Sequence, residues 1–350
     1  LMKTHIKIFF YLSIAIVVSS CSSTNRMTMG VTNPAKVYLS PDITRVGIIN
    51  RSTPSQNNNT LDKIDQILSA EGLNLDKKGA EAAIASLAAE LSVIKNFEDI
   101  KIIENVEEVK SGLAVLPASL SWDLIEKLCA ENNVDVIFSL AFYDTDTKTS
   151  FKVTTMPVEN NLGVKVSVPA QEVELNTFVT CGWRLYDPQS KLVIDEHIYN
   201  KNMLFTGKGI NPIKAVEAVK RRNETVQEYS QNVGIAYATR YVPNKVRISR
   251  DYYTSGTNNF KIAQRRALTG DWNGAADLWK QELNSTDDKV LGRAYYNMAI
   301  SSEIDGDLEQ AISYASTAYT DYKNKLALEY VNILKYRQQQ NQILEQQLSR

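Results

Sequence analysis

Cysteine and histidine are scarce in this chain, and their scarcity argues against several kinds of metal site. Only three cysteines and two histidines occur among 350 residues. A tetrahedral zinc site takes about four ligands, mostly Cys and His, and the sequence has neither a C-x-x-C nor an H-x-x-x-H pair. We therefore expect no metal and no cofactor. Cys129 and Cys181 either form one disulfide or, as we favour, are two small buried apolar residues.

Motifs typical of enzymes are also missing. The sequence contains no G-x-S-x-G, no P-loop and no G-x-G-x-x-G. A hydrolytic triad needs a base, and His197 lies in a strand pattern that favours a surface or cross-strand position. Asp144 and Asp146 fit turn chemistry after a strand, although two converging carboxylates could bind a cation or serve a glycosidase. We predict that the protein is not an enzyme.

Charge of one sign is not in excess either. The chain has 39 basic and 40 acidic residues, a formal net charge of -1, which argues against electrostatic attraction to nucleic acid. Basic residues cluster around one stretch, where a solvated helix face with local salt bridges is the simpler explanation and a site for an acidic partner or an anionic envelope polymer is the alternative. The cluster comprises Lys214, Lys220, Arg221, Arg222, Arg240, Lys245, Arg247 and Arg250.

The N-terminal residues follow the order of a secretory signal. Lys3 and Lys7 form a positive n-region, and the apolar run Ile8–Val18 leads to small residues before Cys21. Val18-Ser19-Ser20-Cys21 resembles the lipobox of bacterial lipoproteins, which implies that Cys21 is lipidated and anchors the protein after cleavage. The apolar run is about half of the roughly 20 residues that a spanning helix needs. We favour a lipoprotein signal over an ordinary cleaved signal or an N-terminal membrane helix.

This interpretation divides the N-terminus into a signal peptide, residues 1–20, and a flexible tether, residues 21–35. The tether is rich in Ser, Thr and Asn and has no apolar period. It carries Arg26 and no carboxylate. In Bacteroidota-type bacteria, acidic residues after the lipidated cysteine help to send lipoproteins to the cell exterior. We therefore predict a cell-envelope protein at the outer membrane that faces the periplasm.

Residues 36–245 predict an α/β domain. Thr44–Asn50 has the β-branched content of a buried strand, and Ser121 is a good N-cap for the helix before the next strand. Later segments alternate apolar and polar positions, which predicts an antiparallel meander with a hairpin turn at Asp187–Ser190. A long helix over Pro212–Tyr241 ends the domain. The predicted fold class is α+β: an N-terminal α/β sandwich-like domain, a mixed sheet with an antiparallel meander, followed by an all-α domain.

Residues 246–350 contain two matching segments. In each, a glycine follows an alanine by seven residues and the next alanine follows the glycine by five; the positions are Ala263, Gly270 and Ala275, then Ala299, Gly306 and Ala311. This is the spacing of tetratricopeptide repeats, in which small residues allow close helix crossing and glycine permits the turn. A helix over Lys325–Leu348 is the predicted cap. A non-repetitive helical bundle is the alternative.

A resemblance to one family supports this division. The hairpin Gly182-Trp183-Arg184-Leu185-Tyr186-Asp187, the run from Gly234 to Pro243 and the Asp251-Tyr252-Tyr253 triplet together resemble a family of Bacteroidota-type lipoproteins. In that family, an α/β domain is followed by tetratricopeptide-like helices. The resemblance implies an architecture and a cellular location, and it implies no activity.

These observations predict a lipid-anchored protein that binds a protein or peptide partner on the concave surface of its helical repeats. Trp279 and Tyr295 are expected between helices, and Arg293 and Tyr296 are expected at the surface. The candidate partner-binding residues are Arg293, Tyr296, Trp272, Arg247 and Arg250. The alternative is a structural component of an envelope assembly, in which the α/β domain self-associates into a homo-oligomer.

Overall fold

The structure, a computed structural model, describes residues 23–52, 63–94, 97–104, 106–110 and 115–349. The predicted signal peptide and Cys21 lie outside these residues. The described residues form two compact units: those within Ala35–Pro243, called the sheet unit here, and residues 23–34 together with 244–349, called the helical unit. The sequence placed the boundary after residue 245, two residues later than the boundary between the units.

The strands and helices are numbered in chain order. The strands are β1 (Thr24–Asn33), β2 (Arg45–Asn50), β3 (Asp99–Ile103), β4 (Val136–Glu159), β5 (Lys165–Asp187), β6 (Leu192–Gly209) and β7 (Asn244–Tyr253). The helices are α1 (Lys63–Val93), α2 (Trp122–Asn132), α3 (Pro212–Glu217), α4 (Arg222–Ala238), α5 (Asn258–Leu268), α6 (Trp272–Gln281), α7 (Asp288–Ile304), α8 (Leu308–Thr320) and α9 (Lys325–Leu348). The sheet-containing part comes first and a region of several helices follows, so the predicted α+β fold class is confirmed.

The sheet unit contains a mixed sheet with strand order β3-β2-β4-β5-β6. β2 is parallel to both β3 and β4, and the remaining pairs are antiparallel. Helices α1 and α4 cover one face with a large apolar cluster, and α2 covers part of the other face. Ser121 caps α2, since its Oγ accepts a hydrogen bond from Leu124 N at 3.4 Å. Helices thus lie on both faces of the sheet.

The predicted meander is three long strands, β4 to β6. The turn between β5 and β6 is the predicted one: Asp187 Oδ1 accepts a hydrogen bond from Gln189 N at 2.9 Å, and the Ser190 hydroxyl donates to Asp187 Oδ2 at 2.5 Å. Asp144 and Asp146, expected in a turn, lie within β4. The expectation of a turn at these residues was wrong, because β4 continues past both of them and pairs with β5.

The predicted long helix after Pro212 is two helices, α3 and α4. Arg221 stands between them with φ 61°, a left-handed conformation that no helix continues through. The two helices pack on different apolar clusters, α3 on the outer part of β5 and α4 on α1 and the middle of the sheet. The break between the helices redirects the chain from one cluster to the other. The basic residues around it give no sign of a break in the sequence.

The helical unit combines a two-stranded ribbon with helical hairpins. β1 pairs with β7 along its whole length, from Thr24 opposite Tyr253 to Asn33 opposite Asn244. The prediction of a flexible tether was therefore wrong for residues 24–33. Met27 in β1 is buried in the apolar core of this unit. The strand was missed because its partner lies more than 200 residues later and because its Ser, Thr and Asn content is typical of linkers.

Candidate functional site

The expected binding surface is the face of α7 that carries Arg293 and Tyr296. In the structure this face is covered by β7 of the same unit. Asn297, fully buried, donates from Nδ2 to Tyr253 O at 2.7 Å and accepts at Oδ1 from Tyr253 N at 2.8 Å. A carboxamide that bonds both main-chain groups of one residue holds an extended strand as a bound peptide would be held. We call this face of α7 the inner face.

Arg293 also contacts the end of β7 and the residues after it. Its Nη1 donates to Ser255 O at 2.6 Å, and its guanidinium lies 5.0 Å from the centroid of the Tyr253 ring. A hydrogen bond to a carbonyl together with a cation–π contact restrains this side chain. Arg293 is half-buried and already engaged within the unit.

Tyr296 is buried, so the expectation that it is exposed was wrong. Only 5% of the residue is accessible. Its ring lies 5.3 Å from that of Tyr253 and 5.3 Å from that of Tyr330, centroid to centroid. α7 is the central helix of the unit and is buried along most of its length, so a position that looks peripheral in one hairpin becomes core once β7 and α9 are added.

Arg250 belongs to a buried ionic cluster at the other end of the inner face. Its Nε and Nη2 each donate to the Glu303 carboxylate at 2.8 Å. The Tyr330 hydroxyl donates to the same carboxylate at 2.6 Å, and Arg337 adds a further bond. Burial alone would raise the pKa of Glu303, but the hydrogen bonds from Arg250 and Tyr330 outweigh it, and the pKa lies below its usual range. This cluster ties β7 to α7 and α9.

The remaining candidates differ in exposure. Trp272 is half-buried, with its ring 5.5 Å from that of Tyr252 in an edge-to-face contact. Arg247 is exposed on β7. Trp279 is fully buried, and the Tyr295 ring lies 6.0 Å from that of Tyr314 in α8 and stacks on that of Tyr322, which follows α8. Of the five candidate partner-binding residues, Arg247 alone has an exposed side chain.

The repeat-defining residues occupy equivalent positions in two helical hairpins. Gly270 and Gly306 have φ of 84° and 86°, a conformation that glycine adopts without strain. Each is followed by an aspartate that caps the next helix, with Oδ1 accepting from a backbone N–H at 2.9 Å. The four alanines, Ala263, Ala275, Ala299 and Ala311, are fully buried. The two hairpins therefore share their turn and their close helix packing.

Most arginines of the predicted basic cluster have partners in their own unit. Arg240 donates from Nε and Nη2 to Asp195 at 2.7 and 2.8 Å. Arg222 is buried and donates from Nε to Thr177 Oγ1 at 3.1 Å. Arg250 pairs with Glu303, as described above. These three contacts favour the explanation by local ion pairs and hydrogen bonds over a site for an acidic partner.

The remaining groups that could do chemistry are dispersed or buried. Cys129 and Cys181 are free and buried, and burial raises the pKa of each thiol to about 12, so both stay protonated at neutral pH. Burial and the nearby Arg240 lower the pKa of His197. Over the ranges that the structure describes, no group of three or more His, Cys, Asp or Glu residues is placed to hold a metal ion.

A cavity of about 570 Å³ lies at the carboxyl ends of β2 and β3. In open α/β sheets, ligands bind where the connections from neighbouring strands leave towards opposite faces. Here β2 is followed by α1 on one face of the sheet, and β3 is followed by α2 on the other face. Its charged lining mixes signs, with Lys77 and Lys110 beside Glu81 and Glu104. Asp76, also in the lining, accepts hydrogen bonds from Thr145 N and Oγ1 at 2.7 and 2.6 Å. This lining defines no single class of ligand.

One surface was missed by the sequence analysis. β6 pairs with β5 as far as Gly209 opposite Gln171, whereas β4 and β5 continue together to Glu159 opposite Lys165. We call residues 154–170 the β4–β5 arm. Its apolar residues are widely exposed, for example Leu162 at 86% and Val164 at 56%. The alternating apolar pattern indicated the strands, but it did not show that β6 and the helices end before them.

Within the parts of the chain that the structure describes, we find no helix with the length and apolar character needed to span a membrane.

The geometry defines an α+β protein with a mixed-sheet unit and a unit of helical hairpins. Residues 43–253 match the family described as "Domain of unknown function (DUF8603)", and residues 261–337 match "Domain of unknown function (DUF6340)". Because the first match covers more than half of the 350 residues, this chain belongs to the DUF8603 family. No curated protein matches the chain significantly.

Several solved structures are similar over part of the chain. The PelC dodecamer from Paraburkholderia phytofirmans is 8% identical, with a TM-score of 0.27, over 62% of this chain and 98% of that one; a point variant of the same dodecamer is 9% identical with a TM-score of 0.25, over 62% and 99%. A putative neuraminyllactose-binding hemagglutinin homolog from Helicobacter pylori is 9% identical, with a TM-score of 0.26, over 56% and 84%. TM-scores this low carry no argument about fold, activity or assembly.

Proposed function

We propose that this protein is a lipid-anchored, non-enzymatic component of the bacterial cell envelope that works by binding protein chains. Cys21 is the lipid-bearing residue in this proposal, and the location is the outer membrane, facing the periplasm. The signal-like order of residues 1–20 and the small residues before Cys21 support it. Two buried carboxylates, Asp195 and Glu303, are engaged in structural ion pairs with Arg240 and Arg250, which supports a binding role for this protein over a catalytic one.

The Bacteroidota-type lipoprotein family with tetratricopeptide-like helices is part of the same proposal. The shared glycine turns and aspartate caps of the two hairpins support it, since a repeat should reproduce its turn geometry. The third element, α9, packs on α8 and closes the array. The same helices in a non-repetitive bundle would have no reason to match at these positions.

One observation favours one of the two modes of protein binding that the sequence left open. The inner face of α7, where an adaptor would receive a peptide, is occupied by β7 of the same unit through Asn297, Arg293 and Glu303. A partner would have to displace a strand that is also paired with β1. The geometry therefore favours a component of an envelope assembly over an adaptor with an open groove.

Capture from membranes tests this function. The full chain, with its own N-terminal sequence and a C-terminal tag, is cross-linked in cells, extracted in detergent and purified beside a Cys21→Ala variant. We expect specific protein chains, copies of this one included, to be recovered with the anchored form and lost or reduced with the variant. Recovery of the anchored protein alone and as a monomer would contradict the proposed function.

A further inference from the structure

Beyond Ala170, which is buried at its inner end, the β4–β5 arm is a two-stranded ribbon whose residues are half-buried or exposed. Six residues of each strand lie beyond the last pair of β5 with β6, and at about 3.3–3.4 Å per residue they extend about 20 Å. A ribbon of two strands is only marginally stable in water, and it gains stability when an apolar face packs on another surface. The exposed apolar residues of the arm therefore point to a contact outside this chain.

Five apolar residues of the arm share one face, whereas Leu162 lies in the turn between the two strands. Met156 lies opposite Val168 and Val158 lies opposite Val166, with Val164 further along on the same face. Val158 is 37% exposed and Val166 is 46% exposed. This set, which we call the valine strip, contains no charged residue. Its inner end is marked by two ion pairs, Lys152 with Glu174 and Lys208 with Glu172, so an apolar centre is bordered by polar contacts, as in protein interfaces.

The edges of the arm disfavour strand addition. Asn160 N donates to Val164 O at 2.9 Å, and hydrogen-bonded and non-bonded pairs alternate from there. Pro157 and Pro169 fall in non-bonded pairs, so the backbone nitrogen of each faces outward and carries no hydrogen. Each free edge thus lacks one outward N–H group, which interrupts the hydrogen bonds that an added strand would make. A partner is expected on the face of the arm.

The arm is also poorly suited to a membrane. It has no Trp or Tyr for the interfacial region, and Lys165 is its one basic residue. In hydrocarbon, the main-chain groups on both free edges would have no hydrogen-bonding partner, which is strongly unfavourable for each group. A protein surface that leaves the edges in water avoids this cost.

We propose that the valine strip binds the valine strip of a second copy of this chain. An uncharged apolar strip is best covered by an uncharged apolar surface of the same size. The same strip on a second copy has this polarity and this length. A two-fold contact uses every residue twice, so a small arm contributes two sets of apolar side chains. Glu159 and Lys165 make the arm neutral, and cleavage before Cys21 would leave 37 basic and 40 acidic residues, a net charge of -3, so two copies repel each other weakly. The inference rests on the proposed function and names its surface.

The oligomeric state of the full chain, extracted from membranes in detergent, tests the contact. We expect a dimer by native mass spectrometry, and at least a tenfold weaker dimer for Val158→Asp/Val166→Asp, because two charges would be buried without partners at each strip. Leu192→Asp is the control, since Leu192 is 60% exposed at the opposite end of β5 and β6. Measured below the concentration at which the wild type dimerises, the melting temperature should stay unchanged in both variants, because the replaced side chains are exposed in the single chain.

Cross-linking in intact membranes provides a second readout. A bifunctional maleimide should join two chains that carry Val166→Cys and should not join chains that carry Leu192→Cys; the native Cys129 and Cys181 are buried. A dimer that survives the double Asp change would overturn the role of the strip. The wild type could instead be a monomer that binds a different protein or phosphatidylethanolamine vesicles. If the double Asp change abolished that binding, a second copy would not be what the valine strip binds. A dimer that survives the double Asp change would leave the proposed function standing. A wild-type protein that is a monomer and has no protein partner would overturn both the proposed function and this inference.

Discussion

Asn297 holds the main chain of Tyr253 at both of its polar groups, with a donated bond of 2.7 Å and an accepted bond of 2.8 Å. Tyr253 is the last residue of β7, and the chain continues from there into the first helical hairpin. The helical unit is thus assembled around an extended strand of its own. The same residues on an open helical array would constitute a peptide-binding groove, and this is why the sequence predicts one.

Asn297→Ala should loosen β7 from the inner face. Both backbone groups of Tyr253 would lose their partner in a mostly buried position, at a cost of about 1–3 kcal/mol each. We expect faster amide hydrogen exchange in β7 and α7 and a lower free energy of unfolding of the helical unit. Asn273→Ala is the control, since Asn273 is exposed in α6. Equal exchange in the two variants would mean that the clamp contributes nothing to stability.

β1 gives a direct contrast between a tether and a strand. Met27 is buried in the helical unit and its neighbour Thr28 is exposed. Met27→Ala should destabilise the unit by about 2–5 kcal/mol, as truncation of a buried methionine does, while Thr28→Ala should change stability by less than about 1 kcal/mol. Chemical denaturation followed by tryptophan fluorescence measures both. If residues 24–33 were a flexible tether, neither substitution would change the stability.

The strand also fixes where the anchor lies in our proposal. β1 begins at Thr24, three residues after Cys21. Three residues of extended chain reach about 10 Å, so a lipid on Cys21 would hold the beginning of β1 within about that distance of the bilayer surface. A membrane-proximal helical unit follows from this reach, whereas the longer tether predicted from the sequence, residues 21–35, would have allowed a larger separation.

Local chemistry is what the sequence predicted best. The cap at Ser121, the turn at Asp187 and the two glycine turns each depend on a few neighbouring residues, and each was found in place. Contacts between distant segments were not predictable in this way. β7 covers Tyr296, and β1 pairs with β7, through residues that are far apart in the chain. Arg293 and Tyr296 therefore lie on one helix of the predicted hairpins, but the predicted exposure of Tyr296 was wrong.

Two glycines in helices of the sheet unit should respond in opposite directions to the same substitution. A Cβ on Gly234 in α4 would lie 2.2 Å from the backbone oxygen of Ala83 in α1, whereas a Cβ on Gly72 in α1 would meet nothing within 4 Å. Gly234→Ala should therefore force the helices apart and lower stability. Gly72→Ala should raise stability by about 0.5–1 kcal/mol, because alanine loses less backbone entropy in a helix. Urea denaturation measures both, and a stabilising Gly234→Ala would contradict the close crossing.

The Glu303 carboxylate should make the stability of the helical unit depend on pH in the acid range. Its pKa is lower in the folded than in the unfolded state, so the unfolded state takes up a proton first as the pH falls. The contribution is complete above the unfolded pKa of glutamate, about 4.3, and is lost as the pH falls through the folded value. At pH 7, Glu303→Gln should cost about 3–5 kcal/mol, because Arg250 and Arg337 would remain without their buried anion.

The difference in unfolding free energy between wild type and Glu303→Gln, measured by urea denaturation at several pH values, checks this argument. It should be constant from pH 7 to about pH 5 and should shrink at lower pH, because the wild type then loses the charge that the variant never had. Glu309→Gln, at an exposed position of α8, should differ from wild type by a few tenths of a kcal/mol at every pH. A difference for Glu303→Gln that stayed constant down to about pH 3 would show that the carboxylate acts through its shape and hydrogen bonds and not through its charge.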